Sequence, residues 1–240
     1  MAQLYYDYTE GLYRIDKILN SGYRKEFLPI IPMMSQKFDD AIDFVMGTVM
    51  TICIKSIAEL LGDEERFSNT RVIQAFLTET YNVCVANSNF RDIYFSEDYV
   101  RLIYSTPKKV DVDSVIDDSA RIRSLSQIIT QKANTHGIQA QIDVRIGIHY
   151  GEIMALYLNP ANENWGRKTM FVGPAVERSK QLANDQLYGC IAISNVVWNN
   201  LNNNNQRLFK HSDKPFSNDY EGDIVNVPMN NWLLNNKTSK

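Results

Sequence analysis

Hydrophobic and polar residues alternate most regularly in three parts of the chain. In Phe90–Pro107, FRDIYFSEDYVRLIYSTP, Ile93 and Phe95 alternate on the way into a polar bend, and Val100, Leu102 and Tyr104 alternate on the way out. A period of two sets these side chains on one face of a half-buried sheet and makes the stretch a β-hairpin. Its bend, Ser96-Glu97-Asp98-Tyr99, lacks the Asn-Gly or Asp-Gly pair of a strong turn, but it sets Asp98 at the end of a rigid strand pair. Asp also favours turns for purely local hydrogen-bonding reasons, so an ordinary acidic turn explains this segment equally well. Phe44–Ser56, FVMGTVMTICIKS, is an apolar run whose branched residues make it a buried strand. Ile142–His149 alternates as a strand, Gly151 makes a tight turn, and Ile153–Leu158 returns.

Helical spacing fills the gaps. Leu12, Ile15, Ile18 and Leu19 mark a short helix before Pro29 and Pro32, which stop it. Ile57–Leu61 is a short turn or helix. Val72, Phe76, Thr80 and Val83 form one face of a helix over Ser68–Ala86, with Ser68 or Asn69 as its N-cap. Lys108–Ser114 reads as a charged loop. Asp117–Gly137 follows as a helix capped by Asp117 or Asp118, striped by Ile122, Leu125, Ile128 and Ile129, and closed by Gly137. After a polar loop from Asn159 to Trp165, Thr169–Val172 is a short strand, and Gly173-Pro174 opens a helix at a position where proline's missing N–H costs little. Cys190–Ser194 is a strand and Val196–Leu201 a short helix. Six asparagines among residues 199–205 make a solvated loop or frayed helix end. Asp223–Val227 is the last strand, with Trp232 as a packing anchor.

This order, β-α-β-β-α-β and then β-α-β, makes an α+β protein: a mixed sheet with helices packed on it, containing the ferredoxin-like unit. The boundary best supported divides an N-terminal helix and extended connector, residues 1–35, from one domain over residues 36–240. At 44% hydrophobic and 22% charged, the composition is that of a globular protein. A net charge of −3 argues against a non-specific nucleic-acid surface and against a polybasic membrane contact. Cys53, Cys84 and Cys190 have no CxxC spacing and suit free thiols in a reducing compartment. The N-terminus lacks the order of a signal peptide, and the apolar run Phe44–Ile54 is about half the ~20 residues of a membrane helix. The expectation is a cytoplasmic protein.

The ordered motifs carry a resemblance. VRIGIHYGEI, with Arg145, Gly147 and Gly151, resembles the strand–turn–strand of class III nucleotidyl cyclases. MFVGPAVERSKQLAN resembles the strand and glycine-led helix that follow it, and EDYVRLIYSTP resembles that family's metal-binding hairpin, with Asp98 on the second aspartate. The resemblance covers about residues 44–201. Together with the aromatic N-terminus and the tail GDIVNVPMNNWL, it is strongest to the bacterial pyrimidine cyclases of Pycsar antiphage defence. It implies a class III cyclase-like fold, a homodimer with its site between the chains, and conversion of UTP to cyclic UMP and pyrophosphate with Mn²⁺ or Mg²⁺. A separate effector protein would read the cyclic nucleotide.

Such a reaction drives the ribose 3′-oxygen onto the α-phosphorus, and two divalent ions about 3.5–4 Å apart would stabilise charge on both sides. Hard cations need oxygen ligands, chiefly carboxylates and the nucleotide's own phosphates. Asp98 is one such carboxylate. Aligning MGTVMTICIKS with the family by its strand and by the 46-residue step to Asp98 puts Ile52 at the first aspartate position that the resemblance implies, with Ser56 the nearest alternative on a shifted register. Cys53 would then supply only a backbone carbonyl. Glu97 replaces the glycine before Asp98, and its side chain, adjacent along a strand, points to the other face. Tyr94 and Lys168 stand where purine cyclases read the base, which argues against ATP and GTP. Glu177 and Gln181 stand where they place an asparagine and an arginine. Lys55 and Ser56 would flank the phosphates, and Arg145, Arg167, Arg178 and Lys180 are further candidate phosphate contacts. Solvated or structural roles explain each cation equally well, and Tyr94 and Tyr99 also suit sheet packing. The missing carboxylate leaves a second reading open: a silent homologue acting as a nucleotide sensor or as half of a heterodimer. An unrelated ferredoxin-like interaction domain is a third.

Overall fold

The computed structural model describes residues 7–22, 28, 30–31, 42–55, 60, 62, 66–158 and 168–236. Among these, eight strands form one mixed sheet: β1 Asp43–Lys55, β2 Phe90–Phe95, β3 Tyr99–Tyr104, β4 Asp143–Leu158, β5 Lys168–Val172, β6 Ile191–Ile193, β7 Lys210–His211 and β8 Tyr220–Gly222. Seven helices accompany them: α1 Tyr8–Leu19, α2 Arg66–Val85, α3 Lys109–Thr135, α4 Pro174–Asn184, α5 Asn195–Asn200, α6 Asn203–Gln206 and α7 Val227–Asn235. The strand order is β2-β3-β1-β4-β6-β8-β7, with β5 paired to the far end of β4. Every pairing is antiparallel except β4 with β6. The α+β fold class read from the sequence is the one observed.

Strand alternation divides β1 between two cores. Met50, Ile52 and Ile54 join Val100, Leu102, Val144 and Ile146 under α2 and α3, with Phe76 and Ile116 fully covered there. Val45 and Val49 face the other way, with Ile103 and Ile153, and are covered by Ala175 and Val176 of α4. The first of α4's neighbours on that face is glycine for a steric reason. A Cβ on Gly147 would collide with the backbone of Ser179 and Ala183. Thr51 and Ser179 then share a hydrogen bond of 2.8 Å between strand and helix.

Several expected boundaries move. α3 begins at Lys109, inside the stretch read as a charged loop. Val112, Val115 and Ile116 carry its apolar stripe back two turns, and Asp111 accepts a hydrogen bond from the Lys108 N–H at 2.9 Å. Asp118 is therefore no cap. It is buried inside the helix, where Asn87 donates to it at 2.7 Å and Arg121 at 2.8 Å. β4 runs straight through Gly151 without a turn, because β1 pairs with it on both sides and sets Gly47 opposite Gly151. The last strand is Tyr220–Gly222, ahead of the expected Asp223–Val227. Val227 instead opens α7, where Asn226 accepts from the Met229 N–H at 3.2 Å and Pro228 occupies the first turn. Trp232, the expected anchor, is half-buried with Lys132 over its ring at 5.1 Å, and the side chain that this helix buries is Leu233. The asparagine run contains a single helical turn, capped by Asn202.

The N-terminal helix forms as read, but Leu12, Ile15 and Leu19 are exposed. Ile31 is buried beside β1, and its N–H donates to Ser105 Oγ at 3.1 Å. The expected boundary at residue 35 and the expected helix near Ile57 lie outside the described residues.

Candidate active site

The β2–β3 bend is fastened to the end of β1. Ile54 N–H donates to Asp98 O at 3.2 Å, and Ser96 N–H closes the bend on Tyr99 O at 2.9 Å. In register, Ile52 faces Val100 and Cys53 faces Tyr99. The Asp98 carboxylate is exposed at this corner.

Strand alternation sets the side chain of Ile52, the position that the sequence aligns with the family's first aspartate, away from the hairpin corner. Ile52 is 0% exposed and packs in the core under α2 and α3, so its side chain leaves the sheet on the side away from α4. On the α4 side, next to the Asp98 corner, the side chain is Cys53. Its thiol donates to Asn184 Oδ1 at 3.3 Å. Burial first, and then the nearby Asp98 carboxylate, push the Cys53 thiol above its ordinary pKa, while Lys180 and Arg145 pull it down. Cys53 therefore offers this face a side chain, where a backbone carbonyl alone was expected.

Cations surround the same corner. Arg145, on β4, stands opposite Cys53 of β1 and donates to the carbonyls of Asn184 at 3.3 Å and Gln186 at 3.2 Å. Lys180 holds its ammonium 4.4 Å from the Tyr99 ring centre. Lys55, at the end of β1, is exposed. Arg178 is engaged elsewhere: it pairs with Asp219 at 2.6 Å, and with Gln181 it lines a separate hollow beside the 212–219 loop. Glu177 is exposed. Ser56 and Arg167 lie outside the described residues.

Tyr94 and Lys168, far apart in sequence, line one groove of about 410 Å³ between the β2–β3 hairpin and β5. The groove also contains Tyr99, weighed with Tyr94 from the sequence, and two groups that the sequence did not single out, Arg101 and Asp92. The Tyr94 and Tyr99 rings lie 6.2 Å apart, tilted by 36°. Arg101 sits 4.9 Å from the Tyr99 ring centre, and its buried Nε has no hydrogen-bond partner. Burial pushes the Asp92 carboxyl up to about 6, against the pull of the Ile93 N–H. The register of β2 on β3 slips between Phe90 and Asp92. That bulge re-aims the strand locally, and period-two reading gives no sign of it.

For a divalent ion, the donors on this face fit one hard cation and not two. Asp98 is a carboxylate with open coordination positions, and a thiol is a poor partner for Mg²⁺. Among the described residues, no three His, Cys, Asp or Glu side chains converge to hold a metal. A single ion at Asp98 would complete its shell with backbone and phosphate oxygens.

No protein-family model matches the chain. Among characterised proteins, a uridylate cyclase from Treponema porcinum is 25% identical over 235 residues, spanning 95% of this chain and 81% of that one. Among solved structures, the adenylyl cyclase CyaB from P. aeruginosa superposes with a TM-score of 0.60 at 17% identity, covering 70% of this chain and 84% of that one. A class III adenylyl cyclase-like ATP-binding protein from Pseudomonas aeruginosa superposes with a TM-score of 0.69 at 16% identity, over 93% of this chain and 48% of that one. No helix among the described residues is long and apolar enough to cross a membrane. The α4-covered sheet, the Asp98 hairpin and these superpositions lead to one conclusion: the chain has the class III nucleotidyl cyclase fold, and along nearly its whole length it is similar to a uridylate cyclase.

Proposed function

We propose that this chain is a nucleotidyl cyclase that converts UTP to cyclic UMP and pyrophosphate, acting as a homodimer. The observation that carries the reading is the groove that brings Tyr94 and Lys168 together beside the Asp98 hairpin. In the reaction, the ribose 3′-oxygen bonds to the α-phosphorus, the bond from that phosphorus to the α–β bridging oxygen breaks, and pyrophosphate leaves. The 3′-hydroxyl proton passes to solvent. An Mn²⁺ or Mg²⁺ ion at Asp98 would supply Lewis-acid stabilisation of the phosphate oxygens. Lys55, Lys180 and Arg145 add fixed positive charge near that corner, favouring the transition state where negative charge builds on the phosphates. Tyr94 and Lys168 hold the base in the groove, and the second copy supplies the complementary half of each site. Cyclic UMP would then serve as a signal read by a separate effector protein, as in antiphage defence.

Cys53 supports a second reading, a nucleotide-binding homologue that does not turn over. It occupies the face beside Asp98 where a second carboxylate would complete a two-ion site. Incubating the purified protein with each of the four NTPs and Mn²⁺, then separating the products by chromatography, decides between them. Cyclic UMP is expected from UTP. Binding of UTP without product supports the silent reading, and cyclic AMP or cyclic GMP as the main product refutes the pyrimidine assignment.

A further inference from the structure

The nucleotide groove contains a carboxylate whose presence the fold does not explain. Asp92 lines the groove and accepts one hydrogen bond in the protein, from the Ile93 N–H to Oδ1 at 2.8 Å. Among the described residues no cation forms an ion pair with it. It is half-buried, and a partly buried carboxylate without a cation is costly to keep. Replacing it by an apolar residue would relieve that cost, so its place in the fold does not need a carboxylate. The groove's other charged side chains are Arg101, whose buried Nε lacks a partner, and Lys168.

One acceptor and two cationic donors match the edge of a pyrimidine. Uracil presents one N–H, at N3, flanked by the carbonyl oxygens O2 and O4. Guanine presents two N–H donors and one carbonyl, and adenine one donor and one acceptor, so either leaves a cation of the groove without an acceptor. Cytosine has the same count as uracil in another order, with its donor at the end of the edge. We infer that Asp92 is the specificity-determining residue of the groove, accepting a hydrogen bond from the uracil N3–H while Arg101 and Lys168 donate to the flanking carbonyls. This inference rests on the uridylate cyclase reading. At neutral pH the carboxyl is mostly ionised and acts only as an acceptor, because burial raises its pKa only to about 6.

The test compares UTP with UTP methylated at N3, which lacks the one proton at issue. Binding to the full chain is measured by calorimetry with Mn²⁺, for wild type, Asp92→Leu and Asp92→Asn, with melting temperatures confirming that each variant folds. Wild type is expected to bind UTP about tenfold or more tighter than the methylated analogue. Asp92→Leu should lose that gap through weaker UTP binding. Asp92→Asn, whose amide can donate as well as accept, should narrow the ratio of UTP to CTP affinity. If Asp92→Leu keeps the wild-type gap, or wild type shows none while still binding UTP, Asp92 does not read the base and the cyclase reading stands. If wild type binds none of the four NTPs, the cyclase reading fails and this inference with it.

Discussion

Ile52 and Cys53 are consecutive residues on one strand, and the sheet gives them opposite environments. Ile52 is 0% exposed among the apolar side chains under α2 and α3, where a charge would have no partner. Cys53 lies on the α4 side among an amide, two cations and the Asp98 carboxylate. In a strand, a shift of one residue exchanges core for site. A connection longer or shorter by one residue is enough to make that exchange. The two faces therefore make the sharpest distinction available for locating the chemistry of this protein.

The largest effect expected from that distinction is Ile52→Asp. It buries an unpaired carboxyl and removes a packed side chain, which should cost on the order of 4–5 kcal/mol in urea unfolding, with no recovery on adding Mn²⁺. Metal-dependent recovery would mean that residue 52 reaches the site after all. Asp98→Ala comes next. Cyclic UMP formation should fall by about a hundredfold or more, while stability stays within about 0.5 kcal/mol, because the exposed bend contributes little to the core. Undiminished product formation would remove Asp98 from the mechanism.

Cys53→Asp should be tolerated, because its face already meets solvent and cations. It should gain stability from Mn²⁺, about 1.4 kcal/mol at ten times the dissociation constant, and turn over faster than wild type. A melting scan with and without Mn²⁺ checks the first part, and an unchanged difference from wild type would show that the two-ion geometry is absent. The smallest effect concerns Asp92, whose folded pKa of about 6 lies above its unfolded value. The folded state holds that proton more tightly, so the contribution to stability is complete below about pH 4 and is lost as pH rises through about 6. Asp92→Asn should then match wild type near pH 4 and exceed it near pH 7 by about 1 kcal/mol, a figure discounted for partial exposure. Equal melting temperatures for the two proteins at both pH values would contradict this.

Much of the fold could be read before the structure because it depends on local pattern. The hairpin, the long strand β1 and the glycine-led helix α4 follow from alternation, branched residues and a Gly-Pro start. At Gly173, φ is 126°, a backbone conformation that side chains disfavour, so the glycine marks the turn into α4. The misplaced boundaries share a cause. Charged residues at the start of α3 masked its stripe, and Gly151 resembles a turn until β1 is seen to hold both halves of β4.

The sequence by itself determined most of the strands and helices, the mixed sheet and the candidate carboxylate at residue 98, because those depend on side-chain periodicity and turn chemistry within a few residues. Tertiary structure alone decided which face each β1 residue occupies beside the hairpin, and that Asp92 and Arg101 share a groove with Lys168. These are facts of register and bulge. They arise from pairing between segments tens of residues apart, which no local pattern encodes.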